Sequence, residues 1–125
     1  MTICDEEARR IAALPAEQRY DYFVNEVADR GEAWGLYDEG WAMAVTDEGQ
    51  PVFPLWPRRE YALLCATDVW DQYQARSILI DKLLNSILPG LEQENSLPGV
   101  FFLAQGRGVT PSVGELVNDL RSRLA

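Results

Sequence analysis

The run WGLYDEGWAMAVTDEGQPVFPLWP, Trp34 to Pro57, constrains the fold more than any other part of the chain. It holds three of the four tryptophans, two Asp-Glu-Gly triplets and a closing Phe53-Pro54-Leu55-Trp56-Pro57 block. Trp34–Tyr37 reads as a strand. Asp38-Glu39-Gly40 supplies a turn whose glycine can take φ > 0, the pattern of a three-residue hairpin loop. Trp41, Met43 and Val45 then alternate with Ala42 and Ala44, giving a second strand with one bulky and one small face. Asp47-Glu48-Gly49 repeats the turn, and Val52–Leu55 makes a third strand. The expectation is a three-strand meander that runs into a helix opened by Pro57.

Helical spacing governs the flanks. Pro15 suits the start of a helix in which Tyr20, Phe23, Val24, Val27 and Ala28 form an apolar stripe, with Gly31 as its stop. A shorter helix precedes it at residues 5–13. After Pro57, apolar residues on more than one side of the next helix, Tyr61 to Val69, point to substantial burial. Ser77–Ile80 reads as a strand and Asp81 as an N-cap. Pro89-Gly90 should end or distort the following helix early. Val100–Ala104 and Val109–Thr110 read as strands around a turn at Gln105–Gly108. Ser112 and Glu115 have capping-box spacing before a last stripe of Val113, Leu116, Val117, Leu120 and Leu124.

The order α-α-β-β-β-α-β-α-β-β-α implies an α+β fold, a mostly antiparallel or mixed sheet covered by helices. Residues 1–125 read as a single domain: N-terminal helices over 5–29, the meander over 34–55 and a mixed α/β remainder over 57–124. At 125 residues, with 47% apolar and 25% charged residues, a chain of this kind buries a core without disulfides or metals.

Charge narrows the partners. The formal net charge is −9, a field that repels the phosphates of nucleic acid and of anionic membranes, favours solubility and permits a basic protein partner. No apolar run approaches the roughly 18 residues of a membrane span. The acidic start MTICDEEARR is unlike a signal peptide, and Cys4 and Cys65 sit in no metal or redox spacing, so a cytoplasmic protein with reduced thiols is expected. Ten of the eleven basic residues are Arg; Lys82 is the only lysine. The chain has no histidine, which removes the commonest general base, nucleophile partner and transition-metal ligand. No catalytic grouping, metal set or cofactor motif is present in the sequence; Gly106-Arg107-Gly108 lacks the spacing of a dinucleotide fingerprint.

Trp34-Gly35-Leu36-Tyr37, Gly40-Trp41-Ala42, Val52–Pro57 and Tyr61-Ala62 together resemble the bacterial domain-of-unknown-function family 2750. Arg19–Phe23 and Leu88-Pro89-Gly90-Leu91 fit the same pattern, and the likeness covers roughly residues 15 to 124. The Phe-Pro-Leu-Trp-Pro block is its specific part. The resemblance implies a small bacterial cytoplasmic protein and carries over no catalytic residue, substrate or cofactor.

The candidate site is the corner Trp56, Arg58, Arg59 and Tyr61. Two cations at a predicted helix start oppose the helix dipole, and exposed N–H groups there attract anions. Guanidiniums beside them can take a phosphate, a carboxylate or an acidic segment. The plainer reading is that both are solvated or pair with acids such as Glu48. Trp41 is expected in the core and Trp56 partly exposed at the strand-to-helix corner. Cys65 is expected to be an inert buried thiol. The favoured function is a non-enzymatic protein-binding or regulatory module. The alternative is a small-ligand-binding protein, or an enzyme acting on an anionic metabolite through Arg58 and Arg59.

Overall fold

The computed structural model of the protein describes residues 5–103 and 108–124. Helices α1 (Asp5–Ala12) and α2 (Ala16–Arg30) precede β1 (Glu32–Tyr37), β2 (Ala44–Val45) and β3 (Pro51–Leu55). Helix α3 (Arg59–Leu64) and a 3-10 turn (Asp68–Trp70) lead to β4 (Gln74–Leu79). A continuous helical run follows: α4 (Ile80–Lys82), a π turn (Leu83–Ile87) and α5 (Leu88–Gln93). Strand β5 (Leu97–Val100) and helix α6 (Val113–Leu124) complete an α+β domain with mixed and antiparallel pairing. Cys4 and the Gln105–Arg107 part of the expected turn lie outside the described residues.

The Trp34–Leu55 region departs from an up-and-down meander. Strand β1 pairs antiparallel with β4, while β3 pairs antiparallel with β2 and parallel with β5. A bridge between Trp34 and Trp56, with N–H···O distances of 2.9 and 2.8 Å in the two directions, joins the two sheets. Strands β1 and β2 are therefore both antiparallel to β3 and lie one after the other along the same edge. Between them the expected three-residue turn at Asp38–Gly40 forms as a short excursion: Tyr37 and Trp41 make an antiparallel bridge, with Ala42 N–H on the Leu36 carbonyl at 2.8 Å and Asp38 N–H on the Gly40 carbonyl at 2.9 Å. Pro54 has no N–H to offer, and on the bridge register it falls opposite Leu36, whose carbonyl is already taken. The excursion and the proline fit one another. Glu39, not Gly40, adopts the positive φ there (59°), whereas Gly49 does so in the second turn (88°) as expected.

Other boundaries shift for local reasons. Strand β4 starts at Gln74 rather than Ser77, because it follows β1 along its whole length. Helix α4 begins at Ile80 after an extended Leu79, so Asp81 lies in the first turn rather than at the cap. Pro89 does not end its helix. The widened turn Leu83–Ile87 immediately before it relieves the crowding that a proline ring imposes on the carbonyl four residues back. Strand β5 ends at Val100, where Phe101 turns with φ 59° and gives its N–H to the Leu55 carbonyl at 2.8 Å. Val109 keeps only a single bridge to Val100. The helix caps at Gly31 and at Ser112–Glu115 form as the sequence predicts.

The core gathers Phe23, Val24 and Val27 of α2, Leu36, Leu55, Trp56, Tyr61, Leu83, Leu88, Phe101, and Leu116 and Leu120 of α6. Tyr20 on α2 donates its hydroxyl to Asp119 on α6, and Arg123 on α6 donates to Asn25 on α2 at 2.8 Å, tying the two helices at two polar points. Arg19, also on α2, is buried; it donates to the Leu14 carbonyl at 2.7 Å and lies 6.0 Å from the Phe101 ring. Helix α3 is less buried than its sequence suggests: Leu63 and Leu64 are exposed, and only Tyr61 and Ala62 are covered.

Candidate functional site

The Trp56–Tyr61 corner is built into the core. Trp56 is fully buried, stacks edge-on against Trp70 at 6.3 Å, and donates its indole N–H to the Phe102 carbonyl at 2.9 Å. The Cys65 thiol donates to the same carbonyl at 3.2 Å. Burial pushes that thiol up to about 11, which leaves it protonated and unreactive at neutral pH. Tyr61 is also buried, 4.7 Å from Phe101 and edge-on to Tyr22 at 6.0 Å. Its hydroxyl turns towards that of Tyr22 without the geometry of a full hydrogen bond, and burial holds both phenols above their ordinary range. The expected partial exposure of Trp56 is thus corrected: a strand-to-helix corner that bridges Trp34 and caps Phe102 has protein on every side.

The two arginines of the corner part company. Arg58 is mostly covered, with 13% of its side chain exposed, and its Nε lies 3.5 Å from Glu26 Oε1. Glu26 on α2, rather than Glu48, thus compensates the cation at the helix start. Arg59 is exposed and makes no hydrogen bond or ion pair among the described residues. Helix α3 spans six residues, too short for its dipole to hold an anion unaided.

A more open constellation lies around Trp41. Gly35 in β1 leaves room for the Trp41 ring to rest on the strand; a Cβ at that position would stand 2.9 Å from the ring edge. Tyr37 meets Trp41 edge-on at 5.2 Å, and Phe53 meets it at 5.5 Å. The β1–β4 register sets Arg76 opposite Gly35, and its guanidinium lies 4.0 Å above the Tyr37 ring centroid. That is the distance of a cation–π contact, in which a delocalised cation sits well on an aromatic face. Lys82, exposed on α4, completes the wall of a cavity of about 480 Å³ bounded by Tyr37, Trp41, Arg76, Ser77 and Leu79. On the other side of Trp41 a second hollow of about 350 Å³ is lined by Met43, Phe53, Ile87, Leu91 and Glu94. The π turn supplies Ser86 and Ile87 to this hollow, and widened turns of this kind are frequent at functional sites. The two hollows share Trp41, which stands between them: the larger groove carries the cations Arg76 and Lys82, and the smaller is mostly apolar with Glu94 in its lining.

Sequence reasoning missed this groove. It placed Trp41 in the core and began the fourth strand after Arg76. Trp41 is half-buried, because its ring lies across β1 rather than beneath it. A strand begun at Gln74 would have brought Arg76 into the sheet on the same face as Ile78, but only the pairing with β1 makes that the face of Tyr37.

Among the described residues, no group of three or more His, Cys, Asp or Glu is placed to hold a metal ion, and no helix is long and apolar enough to cross a membrane. No curated protein and no solved structure gives a significant match to the chain. A family model described as a protein of unknown function, DUF2750, matches residues 20–120, a span that takes in both the corner and the groove, and the chain belongs to that family.

Proposed function

We propose that this protein is a non-enzymatic binding module of the bacterial cytoplasm whose recognition surface is the groove at Trp41. One observation carries the reading: Arg76 and the only lysine, Lys82, converge with Tyr37 and Trp41 on one cavity in a chain of net charge −9. A local cationic spot in an acidic protein attracts an anionic group and repels basic ones. The aromatic floor supplies contact area at low entropic cost. The partner is therefore read as a protein segment carrying carboxylates, and the basic partner permitted by the overall charge gives way to an acidic one at this surface.

Tyr20, Tyr22, Tyr61 and Cys65 are all pushed by burial towards their neutral forms. None of these is thereby poised near neutral pH as a general base. A second reading, a small anionic ligand, draws on the cavity itself, since about 480 Å³ lies within the range of small-molecule sites.

The test is an affinity capture from native-host lysate with wild type, Arg76→Glu/Lys82→Glu and Arg58→Glu/Arg59→Glu in parallel, each shown to fold by circular dichroism. The expected result is a protein held by wild type and by the corner variant, lost by the groove variant, and displaced by polyglutamate. Retention by the groove variant with loss by the corner variant would return the site to Arg58 and Arg59. If wild type captures no specific protein, the protein-partner reading fails and the small-anion reading takes its place.

A further inference from the structure

We infer that the partner segment binds in extended form, as an added strand on the open edge of β4, with its acidic side chains reaching Arg76 and Lys82. This rests on the groove being the recognition surface and adds how the partner is held.

Among the described residues, strand β4 has one neighbouring strand, β1. In an antiparallel pair, opposed residues either both face each other or both face away. Trp34 spends its N–H and carbonyl on Trp56. Ser77, opposite Trp34, therefore aims its own groups away from β1, and so do Ala75 and Leu79 two residues to either side. Ile80 N–H on the Gly31 carbonyl, at 2.9 Å, fixes the same alternation from the other end. Among the described residues, no backbone hydrogen bond outside the strand reaches the outward groups of Ala75 and Ser77 or the N–H of Leu79, whose carbonyl instead opens helix α4. Ser77 is exposed, and Leu79 is 66% exposed.

Natural edge strands are usually blunted by a charged side chain, a proline or a bulge. Here Arg76 is drawn back over the Tyr37 ring, onto the sheet face and away from the outward amides. Strand β4 contains no proline, and its pairing with β1 is unbroken from Gln74 to Leu79. Among the described residues the edge is thus open and regular; Arg76 puts a positive charge on one face of the strand, while Glu32, opposite Leu79, lies on the other face.

Those charges select the occupant. A second copy of the chain would bring another Arg76 and Lys82 to the same place, between two molecules each of net charge −9. An extended segment with Asp or Glu at alternate positions meets the cations on one face. Its main chain pairs with Ser77 and Leu79, the usual mode of strand addition.

A random peptide library displayed on phage, selected against the full chain, tests this. Main-chain pairing tolerates many sequences, so the library must contain ligands if the edge accepts a strand. Selected peptides are expected to alternate acidic with β-branched or aromatic residues. Ser77→Pro removes one outward N–H that β1 does not use, and should bind them about tenfold more weakly. Arg76→Glu/Lys82→Glu should weaken them at least as much. In wild type, the Ser77 and Leu79 amides should gain hydrogen-exchange protection on peptide binding; if Ser77→Pro does not fold, this measurement decides alone. Peptides lost by the charge variant but bound equally by Ser77→Pro, without new amide protection, would overturn strand addition and leave the groove reading standing. Non-acidic peptides held by the edge would overturn the choice of occupant. A library that yields no binder, or binders indifferent to both variants, would overturn strand addition and the groove together.

Discussion

Gly35→Ala should act through one neighbour, the Trp41 ring. An added Cβ would stand 2.9 Å and 3.0 Å from two ring carbons, closer than van der Waals contact allows. The ring cannot simply swing away, since Tyr37 holds it at 5.2 Å on one side and Phe53 at 5.5 Å on another. Overpacking of this kind costs about 1–3 kcal/mol. With Trp41 already replaced by Ala the obstruction is gone. The same Gly35→Ala change should then stabilise by about 0.4–1 kcal/mol, because alanine restricts the unfolded chain more than glycine does. The coupling between the two sites is therefore about 1.4–4 kcal/mol, well above the ~0.5 kcal/mol within which independent sites add. Equilibrium urea denaturation of the four proteins measures it. Equal effects of Gly35→Ala in both backgrounds would refute the seating of Trp41 on β1, and with it the wall that separates the two hollows.

Trp56→Phe removes the indole N–H from Phe102, which keeps its bond from the Cys65 thiol, and should cost about 2 kcal/mol in chemical denaturation; Trp56→Ala should cost about 3–5 kcal/mol. Arg59→Ala, at an exposed side chain without a partner among the described residues, should stay within about 0.5 kcal/mol of wild type. Glu26→Ala leaves the largely covered Arg58 without its carboxylate and should cost about 1–2 kcal/mol, again by denaturation. Burial raises Cys65 from 9.0 to about 11, so above pH 9 the unfolded chain releases a proton that the folded one keeps. Stability should therefore fall with rising pH from about 9, by up to about 1.4 kcal/mol per pH unit from this group, until the folded thiol titrates. Cys65→Ala should flatten that slope, and the raised Tyr61 continues it in the same direction at higher pH.

What the sequence made legible was local. Gly31 stops α2 because a left-handed cap needs no distant partner, and Ser112 and Glu115 cap α6 through bonds three residues apart. The α2 stripe was legible because helical periodicity reports burial directly, although Arg19 on the buried side was not foreseen. The strands were found but their arrangement was not. Asp38-Glu39-Gly40 has the composition of a hairpin turn, and the same residues also serve a small excursion within one edge. Leu36 and Ala42 close the turn from its flanks, and only Pro54, opposite Leu36, is distant from it in sequence. Trp56 shows the opposite limit. Its place after a strand suggested a surface, but the Phe102 carbonyl that buries its N–H lies 46 residues away. The groove required the β1–β4 register, and no local pattern sets Arg76 opposite Gly35.

Lys82 offers the most direct measurement of the central claim, that the groove at Trp41 is where the partner sits. It is the chain's only lysine and is exposed, so its acylation by an amine-reactive reagent can be followed as one modified peptide by mass spectrometry. The rate is compared with and without a saturating bound partner, either the captured protein or a selected peptide. Protection of Lys82, with Arg76→Glu/Lys82→Glu failing to bind, is the predicted result. A saturated complex in which Lys82 reacts as fast as in the free protein would contradict it, and would place recognition elsewhere on the surface.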